Sequence, residues 1–365
     1  MKKISILAVA ALAMFSCSKN VNVNPNGPVD DQISFKPAIS GMQKGSYTAM
    51  DNASNAVTAI DNDEFGVFMI ADGTALANNV KFKYSGGIFV DGYASAPSLT
   101  WADLISGTQS NLDFYSYYPY SASATDHTNI SVTVPTAQTM GVKDAEGNYT
   151  TQRTVTANDF IFSKNISDAG AKKTIGFTQA DVPADRTVRF DYSHALAIVE
   201  FNVLNSAAFD NTEHSWLDKI ELSGNQIYTA GTIDLSAEKP AVTTTTTGSI
   251  SIEPKTKGQA ADKLVSETKK DESTVIYQML VMPMTASSIE DAKVDVTAHR
   301  GKTASYSSAS AKNYTNSFGE SAKWEAGKRY KYNIVVSENT IRIDLVNIDN
   351  WVEEDGGTLP VTPKA

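Results

Sequence analysis

A single cysteine, Cys17, stands in a chain of 365 residues. One thiol cannot build a disulfide framework or a Cys-based zinc site. Histidine is nearly as scarce: there are four, and no two fall within metal-ligand spacing of each other. Acidic residues outnumber basic ones, 41 to 31, for a formal net charge of −10. No stripe of Lys and Arg is present to release counterions from a phosphate backbone, so nucleic acid is excluded as a partner. Long helical periodicity is missing. So are the G-x-S-x-G, H-E-x-x-H, Walker A and G-x-G-x-x-G motifs. The chain reads as a non-enzyme, with no cofactor and no metal site expected.

What the sequence does hold is strand-forming residues. Thr, Ser, Val, Ile, Tyr and Gly are abundant, and short apolar runs alternate with Asn/Asp/Gly/Ser punctuation. That composition predicts an all-β fold of the sandwich type. The length predicts two domains in tandem, 32–187 and 188–365, each long enough to bury its own core.

The N-terminus reads as an address. Lys2 and Lys3 precede an apolar run from Ile4 to Phe15 that is too short to span a bilayer, so residues 1–16 are expected to be a signal peptide. It ends at Cys17, as a bacterial lipoprotein signal does, which makes Cys17 the expected lipidation site and membrane anchor. More than one acyl chain, at ~0.8 kcal/mol per buried CH₂, gives stable anchoring. Residues 17–31 are rich in Asn, Pro and Gly and read as a flexible tether.

The densest strand-forming stretch is Val188–Val203, VRFDYSHALAIVEFNV. Val188, Phe190 and Tyr192 alternate with polar residues, and Ala195–Phe201 is almost wholly apolar. The phase of the alternation changes near His194. A bulge, a crossing between sheets, or two consecutive short strands would each account for that slip. His194 itself is expected to be a packed or hydrogen-bonded histidine rather than a base.

Earlier in the chain, Ile33, Phe35 and Ile39 alternate across Gln32–Ser40, with Pro37 marking an edge strand or strand end. Phe65–Ile70 reads as a buried strand, and Gly86-Gly87 as a hairpin turn between Lys81–Tyr84 and Ile88–Val90. Leu112–Tyr120, LDFYSYYPY, is expected to wall a core, although an exposed aromatic row could also stack on sugars. Later, Ile220–Leu222 and Gln226–Leu235 suggest a hairpin or meander. Ala241–Gly248 suggests an exposed strand or loop, and Lys255–Glu272 a solvated loop. Lys293–Ala298 reads as an edge or half-buried strand. Tyr330, Tyr332, Ile334 and Val336 alternate over a long strand. After a turn at Ser337–Asn339, Ile341, Ile343 and Leu345 alternate again, followed by Ile348 and Trp351.

Taken in order, several of these stretches resemble the fimbrillin-like proteins of Bacteroidetes, subunits of type V pili. They are the lipoprotein Cys17, LDFYSYYPY at 112–120, DFIF at 159–162 and FDYSHALAIVEFNV at 190–203. YQMLVMPM at 277–284, W-x-x-G-K-R-Y-x-Y at 324–332 and I-x-I…I-x-x-W at 341–351 complete the set. The resemblance implies two transthyretin-like β-sandwich domains and export as a lipoprotein to the outer membrane and cell surface. It also implies a structural or adhesive role in a fimbria, with other pilin subunits as partners and a host or bacterial surface ligand.

In stalk subunits of the family a protease removes the first strand, and a neighbour's C-terminal strand fills the groove. Backbone pairing gives affinity in such strand addition, and alternating pockets give register. Matched onto this chain, the leaving strand presents Ile33, Phe35 and Ile39. The donor strand presents Ile341, Ile343, Leu345, Ile348 and Trp351, extended by Leu359 and Val361. The family's protease in the oral member prefers arginine, whereas the first arginine here is Arg153. Lys36 and Lys44 are therefore the cleavage candidates. The alternative is an uncut surface lipoprotein that binds glycan or protein, or a pilus anchor.

Overall fold

A computed structural model describes residues 31–37, 63–140, 155, 158–167, 172–209 and 214–350, apart from 86, 91, 93–99, 255–256, 259–262, 273–275, 289 and 303–304. The chain is built almost wholly of strands. The first half supplies β1 (Ser34–Pro37), β2 (Glu64–Ala71), β3 (Thr74–Ser85), β4 (Ile88–Val90), one helical turn α1 (Ala102–Ile105), β5 (Leu112–Tyr118), β6 (Ile130–Thr133), β7 (Ala137–Gln138), β8 (Ile161–Ser163), β9 (Thr187–Phe190) and β10 (Tyr192–His194). The second supplies β11 (Ala197–Asn205), β12 (His214–Ser223), β13 (Tyr228–Ile233), β14 (Val242–Thr247), β15 (Ile250–Ile252), β16 (Val265–Ser266), β17 (Tyr277–Val281), β18 (Met284–Thr285), β19 (Lys293–Gly301), β20 (Ser310–Ser317), β21 (Lys323–Trp324), β22 (Lys328–Val336) and β23 (Ile341–Asn350).

A six-stranded sheet runs β10-β8-β5-β2-β3-β4. Its middle strands are covered on both faces, which is why their sequences show unbroken apolar runs rather than alternation. Phe65, Val67 and Met69 of β2 and Phe114 of β5 pack into one cluster with Ile33, Phe35, Val188 and Phe190. Phe68 and Ile70, with Tyr115 and Tyr117, pack into a second cluster that continues through the C-terminal half. The aromatic row of β5 is thus core, as expected. Tyr117 donates to Asn79 Oδ1 at 2.8 Å, and the Ser116 and Tyr192 hydroxyls lie 2.6 Å apart. Gly66 faces Tyr117 across the ladder, where a Cβ would lie 2.1 Å from the ring.

The stretch Val188–Val203 becomes three strands in three sheets. β9 runs parallel to β1, β10 closes the six-stranded sheet against β8, and β11 enters a different sheet. The crossing falls at Ala195-Leu196, just past His194. The phase change in the sequence is this change of sheet. His194 is hydrogen-bonded: its Nδ1 lies 2.9 Å from Asp159 Oδ2, and both side chains are nearly out of water.

In the C-terminal half, β11 lies between β22 (parallel) and β17 (antiparallel), with β16 at its end and β23 outside β22. A second sheet runs β20-β19-β12-β15-β7. The two sheets share one apolar cluster, in which Phe201, Phe318, Trp324 and Tyr332 meet edge to face or tilted. Strand pairing also crosses from one half to the other. β6 pairs with β13, and β7 with β15. Gln138 of β7 adds a side-chain clamp, with Nε2 donating to Leu280 O at 2.7 Å and Oε1 accepting from Leu280 N at 2.8 Å.

Three local expectations change. β12 and β13 are not a hairpin: β12 pairs with β15 and β19, and β13 with β14 and β6. The charged segment before Glu272 is not wholly loop, because Leu264 is buried and Val265–Ser266 pair with β11. β19 is half-buried but lies inside its sheet, because β20, polar and mostly exposed, covers its edge.

Candidate assembly interface

The first candidate element, β1, alternates strictly. Ile33, Phe35 and Pro37 point inward and are buried, whereas Ser34 and Lys36 point outward and are exposed. Its backbone pairs with β9 alone among the named strands, in parallel, with Phe35 opposite Val188. Ser34 N donates to Arg186 O at 2.9 Å, and a bridge joins Gln32 to Thr100. The Phe35 ring sits among Phe82, Phe114 and Phe190, with centroids 5.2, 5.7 and 5.7 Å away. β1 therefore plugs the N-terminal core with two large side chains on one slender ladder. Lys36 sits opposite Arg189, whose guanidinium is bonded to Asp185 at 2.5 Å and holds that carboxyl below its ordinary range. Lys36 is followed at once by Pro37. Cys17, Ile39 and Lys44 lie outside the described residues.

The second element, β23, is the edge of its sheet and pairs only with β22 among the described residues. Ile341 is buried and Ile343 packs against the core margin. Beyond them Leu345, Val346 and Ile348 are 41%, 56% and 50% exposed. Of the five large apolar side chains exposed among the described residues, these are three. Trp351, Leu359 and Val361 lie outside the described residues. β1 and β23 stand in different sheets and do not pair with each other.

One set of residues around β23 was not foreseen from the sequence. Asp349 lies 2.7 Å from Lys331 Nζ and 3.4 Å from Arg329 Nη2, and Arg329 lies 3.7 Å from the buried Glu200. Burial pushes the Asp349 carboxyl up, but Lys331 and Arg329 outweigh it and hold that carboxyl below the ordinary range. The available signal was the charge alternating with aromatics in Lys328–Tyr332.

What the fold offers is strands, edges and packed aromatics. A family model described as fimbrillin-like matches residues 51–351, and the chain belongs to that family. The comparison with solved structures returns a candidate cell adhesion protein from Bacteroides uniformis, 18% identical with a TM-score of 0.48 over 88% of this chain and 99% of that one. It also returns a fimbrial protein from Bacteroides vulgatus, 10% identical with a TM-score of 0.47 over 88% and 100%. A fimbrial protein from Bacteroides ovatus is 15% identical, with a TM-score of 0.37 over 86% of this chain and 51% of that one. The comparison with curated proteins returns no match. Family membership supports a pilus-subunit or adhesion role at the cell surface; the family is structural, not enzymatic. Among the described residues, no helix is long and apolar enough to cross a membrane.

Proposed function

We propose that the protein is a structural and adhesive subunit of a type V fimbria. It is exported as a lipoprotein through Cys17 and assembled with other pilin subunits by β-strand exchange. Its two units, 32–187 and 188–365, are transthyretin-like sandwiches that meet just ahead of the change of sheet at Ala195-Leu196. The observation that carries the reading is the pairing of a removable plug with a poorly covered strand. β1 fills a core through Ile33 and Phe35 on a single ladder, and β23 holds Leu345 and Ile348 half in water. A strand donated to the site of β1 would bury such side chains in alternating pockets.

Of the two cleavage candidates, Lys44 is the better. The bond after Lys36 leads into Pro37, whose nitrogen carries no hydrogen and whose φ is fixed, and both residues lie in a paired strand. Removing 345–365 while keeping Ile341 and Ile343 tests the reading. The expected product is a folded monomer that no longer polymerises after limited trypsin treatment. Polymers of normal length from that variant would overturn it. An uncut anchor or glycan-binding lipoprotein is the second reading, favoured by the absence of any arginine before Arg153. It predicts a protein that stays monomeric and retains its N-terminal strand under the same treatment.

A further inference from the structure

The β22–β23 ladder slips by one residue. Tyr332 faces Leu345 and Lys331 faces Asn347, so Val346 has no partner opposite. Such a bulge bends a strand and breaks its ladder locally. It divides β23 into two halves with different means of attachment. The first is held by burial of Ile341 and packing of Ile343. The second, from Leu345 onward, buries little apolar surface, so burial contributes little to holding it.

Besides its ladder, the second half is held by an exposed bond from Lys328 Nζ to Asn350 Oδ1 at 2.5 Å and by a line of charge across four strands. Gln278 of β17 donates to Glu200 of β11 at 3.0 Å. Glu200 faces Arg329 of β22, and Arg329 and Lys331 both face Asp349 of β23. Asn347 also donates to Asp349 Oδ1, at 2.6 Å. Two carboxylates balance two cations, and Arg329 and Glu200 are buried. Asp349 is the one charged member of this line that belongs to β23.

We infer that Asp349 is a latch, a positioning residue that keeps Leu345–Asn350 in its own sheet, with the bulge at Val346 as the hinge on which that half swings free. The inference rests on reading β23 as a donor strand, and it names what sets that strand's release. A donor must leave its own sheet before it can enter another. Here the buried half stays as the anchor, and the Asp349 carboxylate makes the ion pairs that hold the rest.

Peptide-resolved amide hydrogen exchange on the full mature chain tests this, comparing wild type, Asp349→Asn and Lys331→Met. A partly exposed charge pair sets the scale, so exchange across 345–350 should rise about fivefold in both variants. Exchange at Ile341–Ile343 and along β11 should not change. No rise at 345–350 in either variant overturns the latch. A rise spread evenly over β22 and all of β23 overturns the hinge. Polymer formation by the same proteins is a separate readout. Faster exchange in the variants, with wild type and variants all failing to polymerise after trypsin, leaves the latch standing and removes the donor-strand reading.

Discussion

Phe35 and Phe190 stack face to face, with centroids 5.7 Å apart and planes 11° apart, across the ladder that joins β1 to β9. The contact links a residue near the start of the described chain to its middle, and both rings are almost fully buried. Phe35→Ala should cost about 3–5 kcal/mol, because the rings around it cannot collapse into the space. Ser34→Ala, on the exposed face of the same strand, should stay within about 0.5 kcal/mol. Urea unfolding checks both; equal midpoints for the two variants would refute the plug.

Gly66→Ala is expected to be harmful although it adds only one methyl group. The new Cβ would meet Tyr117 Cε1 at 2.1 Å and Asn79 Oδ1 at 2.7 Å, between two strands that cannot separate cheaply. The expected loss is about 1–3 kcal/mol, read from the thermal midpoint.

Alkali should unfold the protein through its tyrosines. Burial pushes the Tyr115 and Tyr117 hydroxyls up to about 12. Below about pH 10 both are neutral whether folded or unfolded, and their contribution is fully present. As pH rises from 10 towards 12 the unfolded chain ionises while the folded chain resists, so stability falls. Tyr115→Phe should make that fall shallower. Stability that stays level to pH 12 in the parent protein would contradict the assignment.

Trp324 Nε1 donates to the Tyr332 hydroxyl at 2.9 Å inside the C-terminal core, and that hydroxyl donates to Ser321 O at 2.7 Å. Tyr332→Phe leaves a buried donor and a buried acceptor without this partner. The expected cost is about 1–3 kcal/mol by denaturant titration, well above a surface Tyr→Phe change.

Cys17→Ser should abolish metabolic labelling with palmitate and release the protein from the membrane fraction. Persistent labelling of the serine variant would place the acyl chains elsewhere.

The parts of this fold legible in the sequence were those in which one strand answers to one local pattern. Phe65–Ile70, the pairing of β3 with β4 around Gly87 and the alternation Tyr330–Val336 all appear where the residues put them. The phase slip near His194 showed that something happened there, and the change of sheet accounts for it. Partnership was not legible. Nothing in Ile220–Leu235 reveals that β12 and β13 belong to different sheets, because pairing depends on residues far along the chain. β16 and β20 escaped for another reason: short or polar edge strands carry little apolar signal. For the candidate interface, the alternation of Ile33 with Phe35 and the row from Ile341 to Ile348 were readable. The bulge at Val346 and the charges behind it depend on register, which composition does not encode.

The parallel pairing of β11 with β22 also bears on when the chain can fold. Ile198–Asn205 bond to Arg329–Val336, near the far end of the described chain. Contacts so distant in sequence form slowly, since loop closure must precede any gain from them. A chain emerging from its N-terminus has nothing to place on that side of β11 until residue 336 is free. The C-terminal sheet therefore stays open on that side of β11 until β22 has emerged.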